Sequence, residues 1–312
     1  MIGESWTKST ERDHTTPSTT GDPVSATVAS GETLGRTEPP DTRVTRPLET
    51  LQLRWGNVSL VVPARDHGVF YSTFVTRVYA ALALRPGDTV LDAGAHVGDF
   101  TVWASHRVGS QGLVIAVEPN PRLYRLLELN LARNHCSNVR SVNRAIGKGE
   151  KRRLMIDDGV GTRFGREDGE GSFSIQCSSV YEILKECGCD RLDIVKMDIE
   201  GAETEAMSSL TTLHSIRSLM IELHSHAASD AIRSALLAEG FLIRTSSLID
   251  VAAETLYSAL TRPVALARAE VTTQAFLLRS MLRVLTDGRQ AVPFLNDRAG
   301  ISMICARARA VP

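Results

Sequence analysis

The feature that most constrains this chain is an alternation running from Thr89 to Phe241, in which short apolar segments of strand length are each followed by an amphipathic stretch of helix length. Strands are expected at Thr89–Ala93, Leu113–Glu118, Val139–Val142, Leu192–Asp198 and Ser218–His224. Helices are expected at Val97–Arg107, after Asn120, at Ala202–Leu213 and at Ser229–Glu239, with Asn120 as a cap, Pro121 in a first position and Gly240 as a stop. The strands are apolar along their length, which means burial on both faces, and a parallel sheet covered by helices on either side provides it. A strand at Phe241–Thr245 pairs antiparallel with a last strand at Ile301–Arg307. The expected class is α/β, a doubly wound Rossmann-like sheet of seven strands with the last one antiparallel.

Around this core lie less regular segments. The first fifty residues hold ten apolar residues against twelve Thr, five Ser and five Pro, so residues 1–47 are expected to be a disordered tail that buries too little surface to offset its ordering entropy. Residues 48–88 read as a β-hairpin turning at Gly56-Asn57, followed by a helix over Val69–Leu84 that Arg85-Pro86-Gly87 stops. After the third strand come a strand at Lys151–Ile156, a glycine-rich loop at Gly159–Gly171 and a strand at Ser172–Cys177. Ser179 and Glu182 then form a capping-box pattern opening a helix over Val180–Cys187. The domain over 89–312 carries a helical insertion at 250–299, before the last strand, which reads either as extra cover or oligomer surface or as a lid.

Charge and cysteine usage narrow the function. Lys+Arg number 35 and Asp+Glu 36, so no broad basic field exists for nonspecific binding of nucleic acid or anionic lipid. No apolar run approaches the roughly 20 residues of a membrane helix. Five scattered cysteines suit reduced thiols, and a cytoplasmic location is expected. Cys187-Gly-Cys189 lacks the second ligand pair a zinc site needs.

The strongest local signal is Val90-Leu-Asp-Ala-Gly-Ala-His-Val-Gly-Asp-Phe100, an apolar strand that ends at Asp92, turns through Gly94, Ala95, His96 and Gly98, and enters a helix. This is how a doubly wound sheet makes a ligand crevice at its strand ends. The dinucleotide pattern G-x-G-x-x-G fails here, because counted from Gly94 its later glycine positions hold His96 and Asp99. A carboxylate at Asp92 repels a pyrophosphate but suits a cationic amine. Glu118 ends the second strand, near the spacing at which a carboxylate accepts both hydroxyls of an adenosine ribose. S-adenosylmethionine has no phosphate, an ammonium and a ribose diol. A third element, Lys196-Met-Asp-Ile-Glu-Gly-Ala-Glu203, closes the fourth strand, and Ile221-Glu-Leu-His224 closes the fifth.

These four segments, in this order and spacing, resemble the FkbM family of S-adenosylmethionine-dependent methyltransferases over about Val90 to His224. The resemblance implies O-methylation of a hydroxyl, commonly on a sugar or secondary metabolite, with Asp92, Gly94, Gly98 and Glu118 as cofactor contacts. Ala95, His96, Pro119, Asn120, Ala145 and Asp198 are expected to complete the cofactor site. The acceptor would be a small hydroxylated molecule such as a sugar, glycolipid or polyketide. A nicotinamide-linked oxidoreductase and a noncatalytic S-adenosylmethionine-binding fold are the competing functions; the first would need the missing phosphate-binding glycines.

Methyl transfer to a hydroxyl needs an aligned oxygen and a proton acceptor. The catalytic candidates are His224, Asp198, Glu222 and Lys196. His224 has the suitable ordinary pKa, while Asp198 or Glu222 would need theirs raised by desolvation. Glu222 also reads as the partner of Lys196 in a buried ion pair that fixes the strand ends. Asp198, Glu222 and His224 are possible ligands of a hard cation, but their spacing is no metal signature, and no metal is assigned.

Overall fold

The computed structural model describes residues 48–75, 78–147, 151–157, 161–164, 173–210, 213–247 and 302–308. The tail at 1–47 and the insertion at 250–299 lie outside them. In chain order the strands are β1 Thr50–Trp55, β2 Val58–Pro63, β3 Thr89–Ala93, β4 Leu113–Val117, β5 Val139–Val142, β6 Ala145–Ile146, β7 Lys151–Asp157, β8 Gly161–Phe164, β9 Phe173–Ser178, β10 Ile194–Met197, β11 Ser218–Leu223, β12 Phe241–Ser247 and β13 Ser302–Ala308. The main helices are α1 Asp99–Val108, α2 Pro121–Arg133, α3 Val180–Glu186, α4 Glu203–Ser209 and α5 His226–Ala238.

Seven strands form one sheet in the order β12-β13-β11-β10-β3-β4-β5. The pairs from β11 through β5 are parallel, and β13 is antiparallel to both β11 and β12. The expected Rossmann-like sheet is present. Its order reverses between β3 and β10, and there the carboxyl ends of the central strands open a crevice. One large core of β3, β4, β10 and β11 side chains packs under α3, α4 and α5, and a second holds Val90, Phe100, Val114 and Ile194.

Local chemistry sets the helix starts. The Asn120 side chain accepts from Arg122 N, and Ser179 with Glu182 completes a reciprocal capping box. The excursion after β5 forms its own small sheet in the order β6-β9-β7-β8, a pairing that the strand pattern alone did not contain.

The hairpin β1–β2 is present and turns at Gly56-Asn57, with Trp55 paired to Val58. The single helix expected over Val69–Leu84 is instead broken into a helical turn at Gly68–Phe70, a π turn at Tyr71–Val75 and a 3-10 turn at Val78–Leu82. Tertiary contacts outweigh helical periodicity there: Phe70 and Phe74 bury against the hairpin, Tyr79 packs edge-on against Phe100 at 4.6 Å, and Thr73 donates to the Asp99 carboxylate. Asn130 joins this segment to the core, bonding Val61 N and O on β2 and donating at 2.8 Å to Val97 O.

Candidate functional site

A cavity of about 330 Å3 opens at the carboxyl edge of β3, β4 and β10. Of the residues singled out from sequence, Gly94, His96, Glu118, Pro119, Lys196 and Asp198 line it. Asp92, Ala95, Gly98, Asn120, Ala145, Glu222 and His224 are not among its lining residues.

Asp92 has partners within the protein. Its carboxylate is fully buried behind the loop, accepts from Thr101 Oγ1 at 2.5 Å and lies 3.2 Å from Lys196 Nζ. Lys196 and Asp92 are register partners on β10 and β3, which sets the ammonium opposite the carboxylate. Lys196 also donates to Gly94 O at 2.6 Å, which replaces the expected pairing with Glu222. Burial pulls the Lys196 pKa down, but Asp92 and the other nearby acidic groups outweigh it and hold the group charged.

The glycines also serve packing. A Cβ at Gly94, whose φ is 78°, would stand 1.8 Å from the carbonyl oxygen of Asp198, and one at Gly98 would stand 2.5 Å from Leu127 Cδ1. They allow the β3 turn to press against the β10 turn and α1 to press against α2.

Glu118 lines the cavity at the end of β4. Its carboxylate is 4% exposed, and each oxygen accepts one backbone N–H, Oε2 from His96 at 2.7 Å and Oε1 from Asn120 at 2.8 Å. Each oxygen keeps a lone pair for another donor. Burial raises its pKa to about 7 against the opposing pull of His96 and these amides. Asn120 and Pro119 thus shape the strand end, while Ala145 is buried in β6 between the lining residues Arg144 and Ile146.

At the next strand ends, the parallel register of Met197 with Ile221 sets Asp198 beside Glu222. Burial first, then the Asp198 charge, raises the Glu222 pKa. His224 follows β11 and is 14% exposed in its side chain; its Nδ1 meets Glu203 Oε1 at 2.7 Å, and its Nε2 faces Glu200 at 3.5 Å and Asp198 at 3.7 Å. Glu203 is fully buried and also accepts Gly201 N at 2.9 Å. Burial would raise the Glu203 pKa, but its hydrogen bonds to His224 and Gly201 bring it below the ordinary value. An ionised Glu203 therefore accepts a hydrogen bond from Nδ1–H, which directs Nε2 toward Asp198 and Glu200. Burial disfavours the imidazolium, yet Glu203, Glu200 and Asp198 together raise the His224 pKa. Asp198, Glu200 and His224 each offer one ligand atom, all within 4.8 Å of one another, so they are the group that could hold a cation among the described residues.

Several lining groups carried no sequence signal. Arg65, Asp66, Val69 and Tyr79 come from the N-terminal segment, and Asp66 Oδ2 lies 3.0 Å from His96 Nε2. Burial opposes a charge on His96, and Asp66 more than offsets it, raising the pKa. Glu203 stood inside the sequence motif, but its partner depends on the turn at Gly201.

The sheet, its crevice and an acidic strand end without phosphate-binding glycines place the chain among α/β nucleoside-binding enzymes of the methyltransferase class. Residues 92–243 match the model of the methyltransferase FkbM domain, and the core of the chain belongs to that family. It is a methyltransferase, and its methyl donor is S-adenosyl-L-methionine. Among curated proteins it is similar to methyltransferase sdnD of Sordaria araneosa, 22% identical over 191 residues, 49% of this chain and 73% of that protein. It is also similar to AMB antimetabolite synthetase AmbE of Pseudomonas aeruginosa, 24% identical over 267 residues, 66% of this chain but 12% of that protein. Among solved structures, a methyltransferase FkbM from Methylobacillus flagellatus is 20% identical with a TM-score of 0.40, covering 56% of this chain and 44% of that one. No helix among the described residues is long and apolar enough to cross a membrane.

Proposed function

We propose that the chain transfers the methyl group of S-adenosylmethionine to a hydroxyl of a small molecule, a sugar or a secondary metabolite, with His224 receiving the proton. The donor, when bound, supplies a methyl group on a sulfonium, ready for in-line displacement by an oxygen. The cavity fits it: Glu118 retains lone pairs for a ribose diol, and the apolar side chains of Val117, Leu123 and Ile146 line the same cavity and suit a purine. Asp198, 35% exposed in its side chain, takes over from Asp92 as the carboxylate for the cationic end.

The observation that carries the reading is the Glu203–His224 pair beside Asp198. A buried carboxylate fixes the imidazole through Nδ1 and turns Nε2 toward the residue that lines the cavity, which is the arrangement of a general base with its orienting group. Asp198 and Glu222 keep negative charge around the imidazolium that forms. Lys196 acts by holding Asp92 and the Gly94 carbonyl, and so supports the cofactor turn. The similarity to an antimetabolite synthetase favours secondary metabolites as the first acceptors to try.

Transfer of a labelled methyl group from S-adenosylmethionine across hydroxylated glycans, glycolipids and polyketides tests this. The expected product carries the label on oxygen. Label on nitrogen or carbon, or binding of the donor without transfer to any hydroxyl, would overturn the reading.

A further inference from the structure

Asp66 lies outside the matched family domain, yet it reaches the tip of the cofactor turn. Hydrogen bonds frame it there: Asn130 ties β2 at Val61 to the turn at Val97, and Asp66 follows five residues after Val61, its own N–H bonded to Pro63 O at 2.9 Å. His96, which it meets, has a left-handed backbone with φ of 53°. That conformation is disfavoured for a residue with a Cβ, so something must retain it. The ring is retained by Asp66 at 3.0 Å through Nε2, and the peptide N–H of the same residue holds Glu118 Oε2 at 2.7 Å. Asp66, His96 and Glu118 form a chain from the N-terminal segment, through the turn, to the carboxylate at the end of β4.

We propose that Asp66 is a positioning residue for the methyl donor: by fixing the His96 ring it fixes the peptide that aims Glu118 at the ribose diol. The inference rests on the reading of Glu118 as the ribose acceptor. It makes the N-terminal segment part of cofactor recognition, with Arg65, Val69 and Tyr79 carried alongside as cavity wall.

Calorimetric titration of the full chain with S-adenosylhomocysteine and with its 2′,3′-dideoxy analogue tests it, because the analogue lacks the groups Glu118 would accept. Asp66→Ala should weaken binding of S-adenosylhomocysteine by roughly tenfold, the effect of one hydrogen bond to a charged group, and leave the dideoxy analogue unchanged. Asp66→Asn, which still accepts from the ring, should restore most of the loss and carries the test if the alanine variant does not fold. Equal losses for both ligands, or no loss for either, would overturn the proposal and reduce Asp66 to a wall residue. If unaltered protein binds both ligands equally, the reading of Glu118 itself fails, and this inference falls with it.

Discussion

Asp92 and Lys196 stand opposite each other on adjacent parallel strands, with 3.2 Å between carboxylate and ammonium and almost no exposure of either. The pair sits directly beneath the cofactor turn and joins β3 to β10 where the crevice opens. Removing one member leaves a buried uncompensated charge, which costs about 3–5 kcal/mol. Lys196→Met is therefore expected to lower the unfolding free energy by that amount in urea titration. Asp92→Asn should destabilise in the same direction. Full stability of Asp92→Asn with lost donor affinity would instead return Asp92 to the ammonium site.

Glu118 gives donor binding a pH dependence with a definite sign. Its pKa is raised to about 7 by burial, and only the ionised form has both oxygens free of protons for the ribose hydroxyls. Affinity for S-adenosylhomocysteine should rise as pH passes upward through this value and level off above it. Glu118→Gln should weaken binding at pH 8 by roughly tenfold and flatten the profile, as read by calorimetry between pH 5.5 and 8.5.

The Glu203–His224 pair predicts a split between chemistry and binding. His224→Gln should lower kcat about 10²–10⁴-fold, the span of general-base catalysis, while the dissociation constant of the donor stays nearly constant. Glu203→Gln removes the carboxylate that raises the His224 pKa, and the alkaline rise in kcat/KM should shift to lower pH. The sign follows from protonation: His224 accepts a proton only when neutral, and nearby carboxylates move its neutral form to higher pH. An unshifted profile in Glu203→Gln would detach His224 from the proton transfer.

Gly94→Ala places a methyl group 1.8 Å from the carbonyl oxygen of Asp198 in a backbone conformation that disfavours side chains. The turns of β3 and β10 would have to separate, and destabilisation of about 1–3 kcal/mol is expected in thermal unfolding.

The sheet was legible because its strands are apolar throughout and its helices carry their caps in the sequence: Asn120, Ser179 with Glu182, and Gly240 all mark real boundaries. Glu118, Asp198 and His224 were legible as polar residues closing apolar strands. What escaped depends on contacts between distant segments. The Asp92–Lys196 pairing joins residues 104 positions apart, and Val69–Leu84 reads as one helix until Thr73 finds Asp99. Asp66 gives no local signal, since its partner lies 30 residues further along the chain.

A crystal structure of the chain with bound S-adenosylhomocysteine would locate the ribose and the sulfur directly. Both ribose hydroxyls are expected within hydrogen-bond distance of Glu118, with the sulfur directed to the side of the cavity where Asp198 adjoins His224. A ligand whose ribose is held elsewhere, or whose sulfur points away from Asp198 and His224, would contradict the proposed function.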